Sequence, residues 1–169
     1  DGGTLKASAA IKGLTNINRT RLNVNVTQVD VTTTEFVRLL SNIAHLEIPE
    51  KVSNYIERTN RLKMRGTFKG YISSFDATAN VDVGSGGALV ARCGMHPVEG
   101  VRTITAELTA DSLNVNKLLA KADRMVANFD VKATARFEDG VDAEASGTIR
   151  NLLFNGYNYS NIAFDGVYD

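Results

Sequence analysis

The chain has 169 residues, 43% of them apolar, and its 19 basic residues balance its 19 acidic residues. This length suits one domain with a sizeable core, and the balanced charge excludes the basic excess expected of a nucleic-acid-binding protein. A single cysteine excludes a disulfide framework or a Cys-rich zinc site, and no apolar run reaches the roughly 20 residues that span a bilayer. Because the chain begins at Asp1 without an initiator Met or an apolar leader, we expect an excised segment of a longer protein.

The N-terminal part of the chain alternates apolar and polar residues, the period typical of strands with one apolar face. The alternation predicts strands over Leu5–Ile11 and Leu22–Val26. Val29 is out of phase with Val26, which predicts a β-bulge near Gln28.

Three segments follow helical spacing instead. Apolar residues within 34–45 lie at i, i+3, i+4 and i+7, and Thr32 and Glu35 form a capping box before them. Pro49 favours the first turn of a second helix over 49–59, and Asn114 is expected to cap a third, shorter helix.

The rest of the chain returns to period two. Phe129–Phe137 and Val141–Ile149, joined by a turn at Glu138–Gly140, predict a long antiparallel hairpin with one shared apolar face. Further strands are predicted around Leu62–Phe68, Ala77–Val83, Leu89–Met95, Ile104–Ala110 and Tyr157–Tyr168, with turns at Gly84–Gly87 and His96–Gly100.

Two stretches of the chain, 25–40 and 107–119, share the order of strand, kink and helix with a double leucine. This self-similarity suggests a repeated strand-rich unit. It divides the single β-rich segment 1–169 into two units of roughly 1–60 and 61–169.

The apolar face of these strands is rich in alanine, whereas facing sheets normally need larger side chains to fill a gap of about 10 Å. Two arrangements stay open: the helices cover the face, or the sheet bends into an apolar trough for an acyl chain, whose burial gains about 0.8 kcal/mol per CH₂. The predicted fold is mainly β, with long antiparallel strands in a curved half-pipe sheet and two or three short helices packed on it or capping it. The candidates that line the trough are Ala77, Ala79, Val81, Leu89, Ala106, Leu108, Phe129, Val131, Ala133, Ala135, Phe137, Val141, Ala143, Ala145 and Ile149.

A basic stripe lies on the polar side of one predicted strand. Arg61, Lys63, Arg65 and Lys69 are spaced so that they share one face. Two interpretations stay open: a solvated sheet surface, or contact with anionic lipid headgroups, where each basic residue contributes about 1 kcal/mol.

The motifs that could carry chemistry lack their structural requirements. Cys93 and His96 have no second pair of zinc ligands, and the acidic tip at 138–144 lacks the spacing of a calcium loop. Gly84–Gly87 leads into a strand and not a helix, which indicates a turn and not a phosphate cradle. We therefore predict no enzymatic activity, no metal and no cofactor.

Several segments resemble the AsmA-like and TamB-type proteins of Gram-negative envelopes. The run Phe154–Gly166, with its Gly-Tyr turn into the next strand, is similar to a recurring phrase of that family, and its Asn- and Tyr-rich style resembles sequences from Bacteroidetes. Thr67–Ile72 followed by Phe75–Ala77, and also Ile11–Leu14, resemble links between strands in that family. Leu113–Leu119 is similar to its short helix after a strand.

The resemblance implies a β-taco protein of the periplasm, anchored at the inner membrane by a segment outside this chain. Its expected role is envelope biogenesis without catalysis, with an apolar groove that shields lipid tails or nascent β-strands. The expected partners are phospholipid or another acyl-chain lipid and an outer-membrane β-barrel protein, with no nucleic acid. Two alternatives stay open, an extracellular β-sandwich adhesion or binding module and a small-ligand barrel of the lipocalin type.

Overall fold

The computed structural model describes residues 3–13, 19–32, 35, 61–114 and 124–168. These residues form nine strands and a 3₁₀ turn at Gly84–Gly86. The strands are β1 (Thr4–Lys12), β2 (Arg21–Val31), β3 (Leu62–Tyr71), β4 (Ser74–Asp82), β5 (Ala88–Val98), β6 (Val101–Asn114), β7 (Met125–Phe137), β8 (Val141–Phe154) and β9 (Tyr157–Tyr168). The helices predicted over 34–45 and 49–59 lie outside the described residues, as does the helix predicted after Asn114, which itself ends β6.

All nine strands belong to one antiparallel sheet, in which strands adjacent in sequence are adjacent in space. The mainly β, antiparallel fold predicted from the sequence is therefore confirmed. The sheet order begins at β1 and ends at β9, so the described strands form an open sheet and not a closed barrel. The described strands of both predicted units share this sheet, because β2 pairs with β3 across the boundary between them.

The hairpin turns set the register of the C-terminal strands. Phe137 pairs with Val141, which confirms the long hairpin predicted around the 138–140 turn. The prediction of a turn over His96–Gly100 is wrong, because β5 continues to Val98 and the turn is only Glu99–Gly100. Both turn residues have positive φ, 53° and 85°, the backbone that matches a two-residue turn to the twist of its strands.

The two similar stretches, 25–40 and 107–119, each carry a bulge at a matching place. The pairing of β2 with β3 shifts between Val26 and Val29, which confirms the bulge predicted near Gln28. The pairing of β6 with β7 shifts between Ala110 and Leu113. The kink that the two similar stretches share is therefore a β-bulge in both, which bends each strand near its end.

Polar side chains from two strands hold the bulge of β6. The Ser112 N–H donates to Asn128 Oδ1 over 2.6 Å, and Arg150 Nη2 donates to the Ala110 carbonyl oxygen over 3.1 Å. The same guanidinium forms ion pairs of 2.8 Å with Asp111 and Asp130, and its hydrogen bond to Asp111 raises the pKa of Arg150. Backbone groups freed by the bulge are thus satisfied by side chains from β7 and β8.

The capping box predicted after β2 is confirmed. The Thr32 N–H donates to Glu35 Oε2 over 2.9 Å, and the Glu35 N–H donates to Thr32 Oγ1 over 3.2 Å. The backbone hydrogen bond from Thr32 lowers the pKa of Glu35, because it stabilises the carboxylate.

The apolar core of the described residues lies at one end of the sheet. This buried end is where β2, β4 and β6 finish and where β3, β5 and β7 begin. Its buried apolar residues are Val29, Val31, Leu62, Val83, Ala110, Leu113 and Ala127.

Candidate functional site

The sheet has two chemically distinct faces, because side chains that lie opposite each other on antiparallel strands share a face. On one side, which we name the apolar face, the register aligns residues into four rows that cross all nine strands. We name each row by its member on β6. The Ala110 row is Leu5, Val29, Met64, Val81, Leu89, Ala110, Phe129, Ile149 and Ile162. The Leu108 row is Ala7, Val26, Gly66, Ala79, Ala91, Leu108, Val131, Gly147 and Phe164.

Two further rows complete the apolar face. The Ala106 row is Ala9, Val24, Phe68, Ala77, Cys93, Ala106, Ala133, Ala145 and Gly166. The Ile104 row is Ile11, Leu22, Gly70, Phe75, Met95, Ile104, Ala135, Ala143 and Tyr168. No position in the four rows carries a charge.

The structure places every predicted trough residue on this face. All of them belong to the four rows except Phe137 and Val141, which pair with each other one step beyond the Ile104 row. There Arg102 lies over the Phe137 ring, 4.9 Å from its centroid, so the uncharged region ends at this point.

The sequence-based list of trough residues missed the contribution of the other strands. It omitted all members from β1, β2, β3 and β9, such as Val24, Phe68 and Phe164, and the Ala91, Cys93 and Ile104 positions of the central strands. The signal was available, since these strands show the same alternation with period two. Alternation alone does not give the register between strands, and it is the register that shows the rows continuing across every strand.

Burial differs sharply along the strands. The Ala110 row reaches the buried end, where Ala110 is 0% exposed and Val29 is 2% exposed. The Leu108, Ala106 and Ile104 rows, which we name the open rows, contain no buried residue, because all of their members are half-buried or exposed. In the described part of the molecule, most of the apolar face is therefore accessible to solvent.

The Ala106 row has the smallest side chains of the four. From β4 to β9 it consists of Ala77, Cys93, Ala106, Ala133, Ala145 and Gly166. At the usual spacing of about 4.8 Å between strands, this run of six strands extends for about 24 Å across the sheet. Phe68, which stacks on Phe75 with ring centroids 4.9 Å apart, ends the run at β3.

The opposite face of the sheet, which we name the polar face, carries charged side chains that pair across neighbouring strands. One of its rows contains Arg92, Glu107 and Lys132 on successive strands. Lys132 Nζ lies 2.9 Å from Glu107 Oε1, and Arg92 Nη1 lies 3.7 Å from Glu107 Oε2. The hydrogen bond from Lys132 lowers the pKa of Glu107.

The basic stripe lies on the polar face. Lys63, Arg65 and Lys69 alternate along β3 and are exposed. Arg61 comes just before the strand and forms an ion pair with Asp30, with 2.7 Å between Nε and Oδ1.

Four shallow depressions lie on the polar face, each flanked by side chains from two neighbouring rows. One of about 490 Å³ lies between β2 and β5 and includes Lys63, Arg65 and Asp82 in its lining. Another, of about 330 Å³, is lined in part by Lys12, Arg21 and Lys69. The two near the C-terminal strands include Glu144 and Val167. None of these four depressions lies on the apolar face.

The pair considered as metal ligands is separated by the sheet. Cys93 belongs to the apolar face, and His96, three residues further along β5, lies on the polar face. The acidic tip at 138–144 is exposed. Within the described ranges, no three His, Cys, Asp or Glu side chains are grouped so that they could hold a metal ion.

His96 instead joins a hydrogen-bonded chain that sequence reasoning missed. Its Nδ1 lies 3.1 Å from Ser74 Oγ, and its Nε2 lies 3.0 Å from Asp76 Oδ1. Gly94 leaves room for this chain, because a Cβ there would lie 3.3 Å from both Asp76 Oδ1 and His96 Nε2. The signal lies only in the register of β4 and β5, since the residues are 20 and 22 positions apart.

This Ser–His–Asp chain lies in the open and lacks the setting of a catalytic triad. The side chain of His96 is 47% exposed and that of Asp76 is 76% exposed. Catalytic triads act in water-excluded sites with preorganised donors for an oxyanion. None of the four depressions includes these residues, and we interpret the chain as a tie between the start of β4 and the end of β5.

Among the residues that the structure describes, no helix has the length and the apolar composition needed to cross a membrane. Comparison with protein-family models, with curated proteins and with solved structures finds no match to this chain.

Proposed function

We propose that this chain is a non-enzymatic segment of a cell-envelope protein and that its apolar face shields the acyl chains of phospholipid. The observation that carries the proposal is the uncharged apolar face, which stays accessible over its three open rows. Burial of an acyl chain is favourable by about 0.8 kcal/mol of free energy for each CH₂, and the chain needs no hydrogen-bond partner. A surface of this kind therefore suits a lipid tail better than a polar ligand.

The small side chains of the Ala106 row suit such a guest. Ala106 on β6 lies between the larger Leu108 and Ile104, whereas Ala145 on β8 lies between the small residues Ala143 and Gly147. The strip of small side chains therefore widens toward β8. Because the strip crosses the strands, an acyl chain lying in it contacts several strands at once. The resemblance to AsmA-like and TamB-type proteins agrees with this role and with a place in the periplasm.

A nascent β-strand is the second candidate ligand, because β9 pairs with β8 on one side only and forms an edge of the described sheet. All twelve residues of β9 are exposed, and Asp165 is its only charged residue. A long edge with few charges offers a row of unpaired N–H and C=O groups to an incoming strand.

The experiment that tests the proposal compares two charge insertions on opposite faces. Ala135→Glu places a carboxylate in the Ile104 row, and Thr105→Glu places one on the polar face of the strand beside it. Both proteins and the parent are purified, checked for folding by circular dichroism and extracted for lipid mass spectrometry. Because an unpaired charge among acyl chains is costly, we expect Ala135→Glu to lose bound phospholipid and Thr105→Glu to keep it.

The outcomes separate the candidates. Equal lipid capture by a folded Ala135→Glu variant would show that the Ile104 row takes no part in binding. A parent protein that carries polypeptide and no lipid after purification supports the strand-binding role, because digestion then yields foreign peptide masses.

A further inference from the structure

Charge is distributed unevenly from one side of the sheet to the other. The described residues up to 71, which are 3–13, 19–32, 35 and 61–71, contain eight basic residues and two acidic residues. The described residues from 72 onward contain six basic and eleven acidic residues. The zero net charge of the whole chain therefore hides a basic side and an acidic side.

The basic side is not neutralised within the molecule. Among the described residues, Arg61 is the one member of the eight that forms an ion pair. The exposed cations of the polar face on these strands, which we name the basic patch, are Lys6, Lys12, Arg21, Lys63, Arg65 and Lys69. On the acidic side, Glu107, Asp111 and Asp130 form ion pairs with basic residues of that same side.

Three cations of the patch converge at the end of the sheet away from the buried end. Lys12 lies directly opposite Arg21, and Lys69 lies opposite Asn23 on the same strand as Arg21. Together they line the depression of about 330 Å³. Asp76, which lies opposite Lys69, is hydrogen-bonded to His96.

The edge strand β1 adds apolar contact to this charge. Leu5 is 59% exposed and Ile11 is 49% exposed, and each is followed in the sequence by an exposed lysine. The strand thus presents apolar side chains from one face and lysines from the other. Lysine stems can lie along an apolar boundary while their ammonium groups stay in the polar layer.

We propose that the β1 edge and the basic patch dock onto an anionic lipid bilayer. A bilayer interface offers both chemistries that this edge presents, negative headgroups for the lysines and arginines and an acyl boundary for Leu5 and Ile11. A nucleic acid would match only the charge, and Tyr71 is the only aromatic residue on the patch side of β3 for base stacking. Lysines on an edge strand disfavour its pairing with a second copy of the chain.

This proposal does not depend on acyl-chain binding by the central strands, because it rests on the polar face and on the edge strand β1, where Leu5 and Ile11 end two of the apolar rows. The test is flotation of the purified chain with vesicles of phosphatidylcholine containing 30% phosphatidylglycerol, beside vesicles of phosphatidylcholine alone. We expect binding to the anionic vesicles only, and its loss as salt is raised from about 0.1 M to about 1 M, where the screening length falls to about 3 Å.

A matched pair of double variants locates the contact. Lys12→Glu with Lys69→Glu reverses two charges of the patch, and Arg124→Glu with Arg136→Glu makes the same change of net charge on the acidic side. The pairs are also matched in setting, since Lys69 lies opposite Asp76 and Arg136 lies opposite Asp142. Each basic residue near an anionic surface strengthens binding about fivefold, so we expect the first variant to bind about 25-fold more weakly or worse. The second variant should lose much less.

The readouts keep the proposal falsifiable. Circular dichroism and thermal melting check that both variants fold, and the corresponding glutamine variants replace any that does not. Equal loss in both pairs, binding that ignores lipid charge, or no binding to either vesicle would overturn the proposal. A second result would also overturn it. In that result the parent binds no vesicles and forms a dimer in analytical ultracentrifugation, and only the Lys12→Glu, Lys69→Glu variant loses the dimer. Retained vesicle binding by Ala135→Glu would show that docking and acyl-chain capture are separate.

Discussion

The buried end and the open rows share one apolar face but not one environment. At the buried end, Ala110 and Val29 have almost no contact with solvent. One step along the same strands, Leu108 and Val26 are half-buried, although their residue types are just as apolar. The comparison teaches that alternation marks which side of a strand is apolar but does not mark which part of that side becomes core. Burial therefore differs along the strands although the residue types do not.

The largest expected effect comes from placing the same charge in each region. Ala110→Asp puts a carboxylate at a position with no exposure, so we expect it to lower the free energy of unfolding by at least about 4 kcal/mol or to abolish folding. Ala133→Asp, in the open Ala106 row, leaves its carboxylate in reach of water and should cost about 1 kcal/mol. Urea unfolding followed by circular dichroism measures both.

Equal losses of unfolding free energy in Ala110→Asp and Ala133→Asp would contradict the distinction between the buried end and the open rows. If Ala133→Asp unfolds the protein as Ala110→Asp does, the open rows are covered in solution and their accessibility to a lipid tail is lost with them. Ala133→Ser serves as the control, because it adds a polar group to the same position without a charge.

A smaller effect is expected from two glycines on neighbouring strands. A Cβ on Gly147 would lie 2.5 Å from the Asp130 carbonyl oxygen and 2.7 Å from Phe164 Cζ, so the Phe164 ring occupies the space that a side chain would need. Gly147→Ala should therefore destabilise the fold by about 1–3 kcal/mol. Gly166→Ala, which meets nothing within 4 Å, should be neutral or slightly stabilising.

The two glycine variants test whether side chains in the open rows, such as Phe164 beside Gly147, are tightly packed. Thermal melting of the two variants and the parent gives the order of stability. A neutral Gly147→Ala would mean that the Phe164 ring moves away freely and that the β9 side of the open rows is loosely packed.

Much of the fold follows from sequence, for identifiable reasons. Period two specified the strands, and short turns such as Glu138–Gly140 specified which strands are neighbours. The bulge near Gln28 was predictable because Val29 breaks the phase set by Val26. The turn after β5 differs from its prediction, because Pro97 predicts the end of a strand that in fact continues to Val98.

Features that depend on register across several strands were not predictable. The chain of Ser74, Asp76 and His96 forms only because the β4–β5 connection fixes one alignment of these two strands out of several. Arg150 reaches the β6 bulge across β7, which no local pattern indicates. The candidate site was predicted in its composition, since one apolar face suffices for that, but its extent over nine strands needed the pairing of every strand.

The smallest expected effect concerns the polar face behind the open rows, where Glu107 links Lys132 and Arg92. The hydrogen bond and charge of Lys132 lower the pKa of Glu107 below its ordinary value of 4.5. A carboxylate with a lowered folded pKa stabilises the fold above its unfolded pKa, and the contribution disappears as the pH falls through the folded pKa. Glu107→Gln should therefore lower the urea midpoint slightly at pH 7, with a difference that shrinks below about pH 4.5 and in high salt.

Glu144→Gln is the matched control for this measurement, because Glu144 lies on the same face and forms no ion pair among the described residues. Its midpoint at pH 7 should stay close to that of the parent. A loss in Glu107→Gln as large as that in Gly147→Ala would mean that the open rows are held mainly from their polar side. The stability of the strands beneath an accessible apolar face would then come from charge and hydrogen bonding more than from burial, and it would fall with salt where the buried end does not.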